Sequence, residues 1–489
     1  MMQKIPARNL NSDDLDSRVF NLYEKREKIF TRSIEGFFQR IRLFTGWPLL
    51  LGYFLLPWIN LDERQAVLFD LPARKFYVLW LTFWPQDFVL LGWLLAIAAF
   101  ALFFVTTLWG RVWCGYTCPQ TVWTAIFMWA EQIAEGDRNQ RIKLDKQPSL
   151  LSSKGWNRTG FNKTWRRVFK HSMWFGFAAL TGVTFIGYFY PIRDLISDAL
   201  QWQLPLIAVA WCVFFTLATY INAGWLREQV CIYMCPYARF QSAMFDRNTL
   251  VISYDTARGE QRGARRRNTD YKAEGLGDCI DCTMCVQVCP TGIDIRDGLQ
   301  FQCIGCAACI DACDGIMDKM GYQRGLISYT TENKLAGGSW TWKRPKLIGY
   351  GVAMLVMCVL FVVVLWNRVP LTLEVMRDRA SLYQQLSDGR IENVYRLRII
   401  NMDAQDREFG ISLEGLSDFS MIPDQTVVVG TGEVRDLLLR VQADPASLQS
   451  FNQDIVFVIQ ESNGALRAES ESRFIAPSSS VNSNQGRAQ

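Results

Sequence analysis

Five uncharged, apolar runs divide the chain, lying between Arg42 and Asp62, Asp87 and Arg111, Lys170 and Arg193, Asp198 and Arg227, and Lys346 and Arg368. Each approaches the roughly 20 residues a helix needs to cross a bilayer, so the pattern predicts five membrane spans. Trp47, Trp58, Trp109, Trp202, Trp225 and Trp366 stand near their ends, where an interfacial aromatic belt would place them. A sixth uncharged stretch, Val112 to Ala130, is broken by Cys114, Gly115, Cys118 and Pro119. Beyond Pro119, apolar Val122, Trp123, Ile126, Phe127, Ala130 and Ile133 recur at helical spacing, which predicts an amphipathic interfacial helix rather than a span. After Arg368 the period changes to two. VYRLRII from Val394, EFGISL from Glu408, VRDLLLRV from Val434 and DIVFVIQE from Asp454 read as strands, with a turn at SNG from Ser462. Short strands over about a hundred residues suggest an immunoglobulin-like β-sandwich, followed by a polar tail expected to be disordered.

Composition agrees with a polytopic membrane protein: 489 residues, half of them hydrophobic, with 18 tryptophans. The first forty residues are charged and lack the short apolar core of a cleavable signal peptide. Lys and Arg set the orientation. The segment up to Arg42 carries nine and Arg111–Lys170 eleven, against three in Asp62–Asp87 and one around Arg193. The expected order is a cytoplasmic segment 1–42, a four-span domain 43–226, a cytoplasmic insert 227–346, a fifth span 347–367, a periplasmic domain 368–476 and a tail 477–489. This predicts a multi-pass protein of a bacterial inner membrane, in contact with lipid and without a nucleic-acid partner.

Of fourteen cysteines none follows Cys358, so the outer domain has no disulfide framework. Cys212 and Cys358 fall inside spans and are expected to pack there. The insert carries DCIDCTMCVQVCPTG from Asp278 and QCIGCAACIDACDG from Gln302. Both contain C-x2-C-x2-C-x3-C, the ligand run of two-cluster bacterial ferredoxins, in which each fourth cysteine serves the other cluster. The assignment is Cys279, Cys282, Cys285 and Cys313 for one [4Fe–4S] cluster, and Cys303, Cys306, Cys309 and Cys289 for the second. Paired zinc sites are the alternative, disfavoured by eight cysteines in two matching runs of four. Asp314 stands where a second proline is expected, which puts the local turn in question. Such clusters carry single electrons. The chain has no convincing dinucleotide motif, since GTGEV after Val429 lacks a third glycine. Electrons therefore come from a cytoplasmic donor or from quinol. The basic run Arg258–Arg267 reads either as a lipid-facing, positive-inside segment or as a docking patch for an acidic donor.

Two further motifs match each other. LWGRVWCGYTCPQTVW follows the second span and AGWLREQVCIYMCPYARF the fourth, each with a glycine, an arginine and C-x3-C-P. The order suggests a repeat of two-span units in one orientation, placing Cys114, Cys118, Cys231 and Cys235 on one membrane face. Pro119 and Pro236 suit the first position of a helix, so Cys118 and Cys235 fall at N-caps. There the helix dipole, with Arg111 and Arg227 nearby, is expected to favour the thiolate. Such thiolates suit Cu(I), zinc or redox exchange, and Met234 could add a thioether. The motif is also similar to the copper site of the Sco chaperones. Inert cysteines packed at a tight membrane-exit turn are the competing reading. The sole histidine, His171, opens the third span and is read as an interfacial packing residue; one histidine cannot hold a bis-histidine haem.

Five spans, paired C-x3-C-P motifs, the eight-cysteine insert and the cysteine-free β domain, in this order, resemble the CcoG family, also called FixG or RdxA. The resemblance covers nearly the whole chain. It implies reduction of Cu(II) to Cu(I) for assembly of the cbb-type cytochrome c oxidase, with copper chaperones and oxidase subunits as partners; separately from the resemblance, a homo-oligomer is one assembly the chain could form. Cys114, Cys118, Cys231, Cys235 and Met234 are then the candidate copper-handling residues. The other reading is an electron conduit resembling NapH and NosR, passing electrons from quinol or a soluble donor to a respiratory partner without copper; a third makes the β domain an assembly scaffold.

Overall fold

The computed structural model describes residues 28–477 except 62–63, 149–157, 268–269, 379–381, 404, 417, 423–425, 449, 463 and 465. The tail expected from 477 lies outside the described residues from 478 onward. The chain forms two compact units, 1–358 and 359–489.

Every predicted span coincides with a helix: α1 (Phe37–Leu55), α2 (Phe88–Trp109), then, after α3 (Pro119–Glu135), the helix expected at the interface, α4 (Arg158–Ile186) and α5 (Leu206–Thr219). Next come α6 (Pro236–Met244), α7 (Ala308–Met320) and α8 (Pro345–Trp366), the last on the fifth predicted span. Among the described residues three helices are long and apolar enough to cross a membrane: Pro85–Trp109, Leu206–Leu226 and Pro345–Trp366. Only 6 % of the apolar window of the first and third is buried within the protein; helices apolar all round and left uncovered need a lipid environment. The other two are less apolar, because α1 starts with Arg40 and Arg42 and α4 carries Lys163, Arg166, Arg167 and Lys170.

The segment between the first two predicted spans contains an antiparallel sheet, Val67–Asp70, Lys75–Val78 and Leu81–Phe83. Buried Gln65 holds it to the chain after α4, donating to the Gly187 carbonyl at 2.7 Å and accepting from the Ile192 amide at 3.1 Å.

The cysteine-rich insert is closed by a two-stranded antiparallel sheet, Val251–Tyr254 with Ile327–Thr330, Ile252 lying opposite Tyr329. Its core includes Ile252, Ile295, Ile310, Met317 and Leu326. The start of α1 packs on this core. Phe38 packs against it, and the Phe38 and Gln39 amides, in the first turn of α1, donate to the Asp311 carboxylate at 3.1 and 2.8 Å. A carboxylate from α7 thus caps α1, satisfying donors that no local side chain reaches.

Among the described residues the C-terminal unit has eight longer strands: β1 (Leu371–Arg377), β2 (Ile391–Asn401), β3 (Arg407–Glu414), β4 (Phe419–Ile422), β5 (Thr426–Val429), β6 (Val434–Ala443), β7 (Asn452–Glu461) and β8 (Arg467–Ile475). They form two antiparallel sheets ordered β4-β6-β2-β1 and β5-β3-β7-β8, with short Gln384–Gln385 added beside β2. The period-two pattern explains the packing. Tyr395, Leu397 and Ile399 of β2 point inward with Phe409 and Ile411 of β3 and Phe457 and Ile459 of β7, making one shared core. GTGEV is the β5–β6 turn: the Gly430 amide donates to Glu433 and the Thr431 amide to Asp406, at 2.7 and 2.6 Å.

Candidate functional site

The two C-x2-C-x2-C runs share a backbone. Asp281 (φ 52°) and Gly305 (φ 68°) precede the second cysteine of each run, and Thr283 (φ 54°) and Ala307 (φ 57°) follow it. Left-handed Asp, Thr and Ala are each disfavoured, by roughly 1–2 kcal/mol, so their recurrence at matching positions marks a constrained wrap. Cys279, Cys282, Cys285 and Cys313 line one small cavity with Tyr254 and Arg296, which is how α7 returns its cysteine to the first run. Arg296 pairs with Asp294 and Asp281 and faces Cys285.

The other four also converge. Burial pushes the Cys309 thiol well up, and its next contributors are Cys306, Cys303 and Cys289. Burial likewise pushes Cys303 up to about 12, with Cys306 and Cys289 adding to the shift. Cys313, pushed up to about 12 by burial, feels Cys285, Cys279 and Cys282 instead. Cys313 thus lies in one cavity with the cysteines of the first run, and Cys289 stands near enough to Cys303 and Cys309 to act on their charge. Buried thiols in fours, disfavoured as free thiolates, suit a group that supplies positive charge and ferric-ferrous sulfur chemistry, so the residues fit two [4Fe–4S] clusters. At Asp314, α7 continues where Pro290 stops the equivalent segment; the Asp314 carboxylate accepts from the Gly325 amide at 2.9 Å.

The paired motifs meet this domain. Cys118 and Cys235 are the N-caps of α3 and α6, with Pro119 and Pro236 at the first helical position. Cys114 and Cys231 pack in one cluster with Cys306, Val288 and Ile304. Gly115 lies so close to the second-cluster loop that a Cβ would sit 2.6 Å from the Gly305 carbonyl oxygen and 2.9 Å from the Cys306 Cα. Arg111 donates to the Phe301 and Cys303 carbonyls at 2.6 and 3.0 Å. Burial pushes Cys114 up to about 12, with Cys118 next in effect, and Cys231 up to about 11, with Cys118 and Cys235 next. Burial thus disfavours the thiolate form of the first thiol of each pair. Met234 is 60 % exposed. Among the described residues no three His, Cys, Asp or Glu side chains approach closely enough to hold a single metal ion.

Arg227 does not serve the thiols as expected. Aligned on the first cysteine it matches Gly110, not Arg111, and its guanidinium reaches Glu131 at 2.9 Å and lies over Trp174. Glu131 is 1 % exposed and also meets Arg141 at 3.1 Å and Lys170 at 3.9 Å; Glu135 pairs with Lys170 at 2.8 Å. Burial opposes ionisation of Glu131, but Arg227, Lys170 and Lys28 overcome it and hold the carboxyl below its usual range. The apolar-stripe reading of α3 missed this network. The signal was present as two acids one turn apart, Glu131 and Glu135, on the face that also buries Phe127 and Ala130. His171 is a packing residue in part, its Nδ1 bonded to the Tyr220 hydroxyl at 2.7 Å and its ring edge-on to Trp174. The basic run is partly structural. Arg258 pairs with Asp278, and Arg265 donates to the Gly277 carbonyl and stacks on Tyr271 and Tyr322, while Arg266 and Arg267 are exposed.

These features define a membrane protein of the iron–sulfur electron-transfer class. Three family models agree: a 4Fe-4S dicluster domain over residues 226–332, a 4Fe-4S binding domain over 91–134, and the IG-like fold at the C-terminal of FixG over 361–477. The chain is 39 % identical over 462 residues to "Nitrogen fixation protein FixG" of Rhizobium meliloti, covering 86 % of this chain and 85 % of that protein. It is 39 % identical over 410 residues to "Protein RdxA" of Cereibacter sphaeroides, covering 81 % and 84 %. The chain belongs to the FixG/RdxA family. A crystal structure of a FixG-related protein from Vibrio parahaemolyticus matches at 37 % identity and TM-score 0.21, over 22 % of this chain and 95 % of that one.

Proposed function

We propose that the protein is a cupric reductase, passing single electrons from its iron–sulfur domain to copper at the paired C-x3-C-P thiols, in the service of cbb-type oxidase assembly. One observation carries the reading: the Cys114 arm is seated on the second-cluster loop, with Gly115 against Gly305 and Cys306. In this reading Cys279, Cys282, Cys285 and Cys313 hold one cluster and Cys303, Cys306, Cys309 and Cys289 the other. Bound clusters supply one-electron storage. The chain's part is to keep water from the buried thiols, to hold Arg296 and Arg111 beside them, and to bring Cys114, Cys118, Cys231 and Cys235 together. Cu(II) is the substrate. It gains one electron, and soft sulfur ligation favours the Cu(I) product. Five bilayer crossings, with cluster domain and thiols on the cytoplasmic side and the β-sandwich in the periplasm, complete the proposal.

The test uses anaerobic, dithionite-reduced protein and a Cu(I)-specific chromophore. The Cys231→Ala/Cys235→Ala variant should form Cu(I) at least about tenfold more slowly at equal cluster content; an unchanged rate removes these thiols from the reaction. A second reading is an electron conduit that hands electrons to a respiratory partner without copper. Protein purified with copper at well below one ion per chain, and without Cu(II) reduction, would favour it.

A further inference from the structure

A cavity of about 420 Å³ in the membrane unit adjoins the paired cysteines only through Cys231. Its wall is formed by α3, α4, the turn after α5 and the second-cluster loop, including Trp174, Trp225, His171 and Glu228. Its size is that of a small-molecule site. Two redox elements border it. Cys231 is part of the wall, and so is Thr291, whose hydroxyl lies 3.3 Å from the Cys289 sulfur. His171 and Trp225 stand at the ends of the third and fourth apolar runs, so the cavity lies at the level where a bilayer would meet water.

We propose that this cavity binds the headgroup of an isoprenoid quinol, the electron source for the protein. The proposal rests on the electron-transfer reading above and names its donor. A largely apolar wall with two tryptophans suits a flat ring carrying a lipid tail. Lys28, Arg42, Arg167, Lys170 and Arg227 border the space together with the acids Glu131 and Glu228. His171 has its Nδ1 tied to Tyr220; in the tautomer that donates Nδ1–H to that hydroxyl, Nε2 accepts a quinol O–H. Oxidation breaks both quinol O–H bonds and converts the ring to quinone. The protons pass to His171 Nε2 and the Glu228 carboxylate, and the two electrons leave singly to one-electron acceptors, the iron–sulfur centres.

The experiment uses full-length protein in lipid nanodiscs and an azido-quinone, photolysed and mapped by mass spectrometry. Label should fall on peptides carrying His171–Trp174 or Gly224–Cys231 and be suppressed by excess decylubiquinol. Ala125→Phe, which fills the space from α3, should cut labelling about tenfold. His171→Asn should keep labelling but slow anaerobic cluster bleaching by decylubiquinol about a hundredfold, as loss of a general base does. Label elsewhere, label insensitive to quinol, or unchanged labelling in Ala125→Phe would overturn the site. So would a phospholipid retained in the cavity that decylubiquinol does not displace. Failure here with Cu(II) reduction by dithionite-reduced protein intact strikes only the quinol site; the converse pattern strikes only the copper reading.

Discussion

Four residues before its first cysteine, one C-x3-C-P arm has Gly110 at φ 58° and the other has Arg227 at φ 42°. After Gly110 the chain makes a short α-helix, Val112–Tyr116; after Arg227 it makes a wider π-turn, Val230–Met234. The first arm lies on the second-cluster loop, with Arg111 on its carbonyls. The second is held through Arg227 by the buried acid of α3 and leaves Tyr233 and Met234 exposed. One motif has thus acquired two surroundings. The first arm meets the electron-carrying domain backbone to backbone, whereas the second touches it through Cys231 and is the more open one, bordering the cavity.

The sharpest way to break this comparison is at the residue after the first cysteine. Gly115→Val drives two methyl groups into backbone, and we expect loss of about half the iron per chain with Cu(II) reduction abolished, read by iron assay and optical spectrum. Ile232 holds the equivalent place in the second arm and is half-buried; Ile232→Val should cost about 0.5–1.5 kcal/mol at most and keep the iron. Equal iron in both variants would erase the distinction between the arms.

Next in size is Glu131→Gln, which leaves Arg227, Arg141 and Lys170 in low-dielectric surroundings without their carboxylate. Removal of one partner from a buried ion pair costs about 3–5 kcal/mol, visible as a lower unfolding temperature in detergent, with Cys231/Cys235 chemistry impaired more than cluster content. The pH dependence has a definite sign. The Glu131 carboxyl is held below its ordinary value of 4.5, so the stability it contributes is present above that value and is lost as pH falls through the lower folded value. Glu131→Gln should flatten that acid limb. An acid limb identical to wild type would show that the second arm is not held by this acid.

The smallest effect belongs to Met234→Leu. A thioether that is 60 % exposed is replaced by an isosteric alkyl group, and Cu(II) reduction should change by less than about twofold. A large loss would promote Met234 to the copper site.

Much of this molecule is legible as local pattern. The eight ferredoxin cysteines, the N-cap places of Cys118 and Cys235 and the alternation of β2, β3, β6 and β7 follow from spacing, from proline stereochemistry and from the two-residue period of a strand. The relations among these pieces are not written locally. Asp311 caps α1 from 273 residues away, and a lone aspartate after a cysteine carries no sign of that. Gly115 reads as an ordinary flexible residue until Gly305 occupies the space its side chain would need. Arg227 and Arg111 look equivalent beside their cysteines, and only the position of Glu131 separates them.

The sequence by itself therefore determined which groups exist and how each short segment bends, because ligand spacing, helix caps and strand alternation depend on bonds within a few residues. Tertiary structure decided which thiols share a pocket, which arm touches the cluster loop and which cation answers a buried acid. Those outcomes depend on distances through space and on the exclusion of water, which segments remote along the chain create only when they pack together.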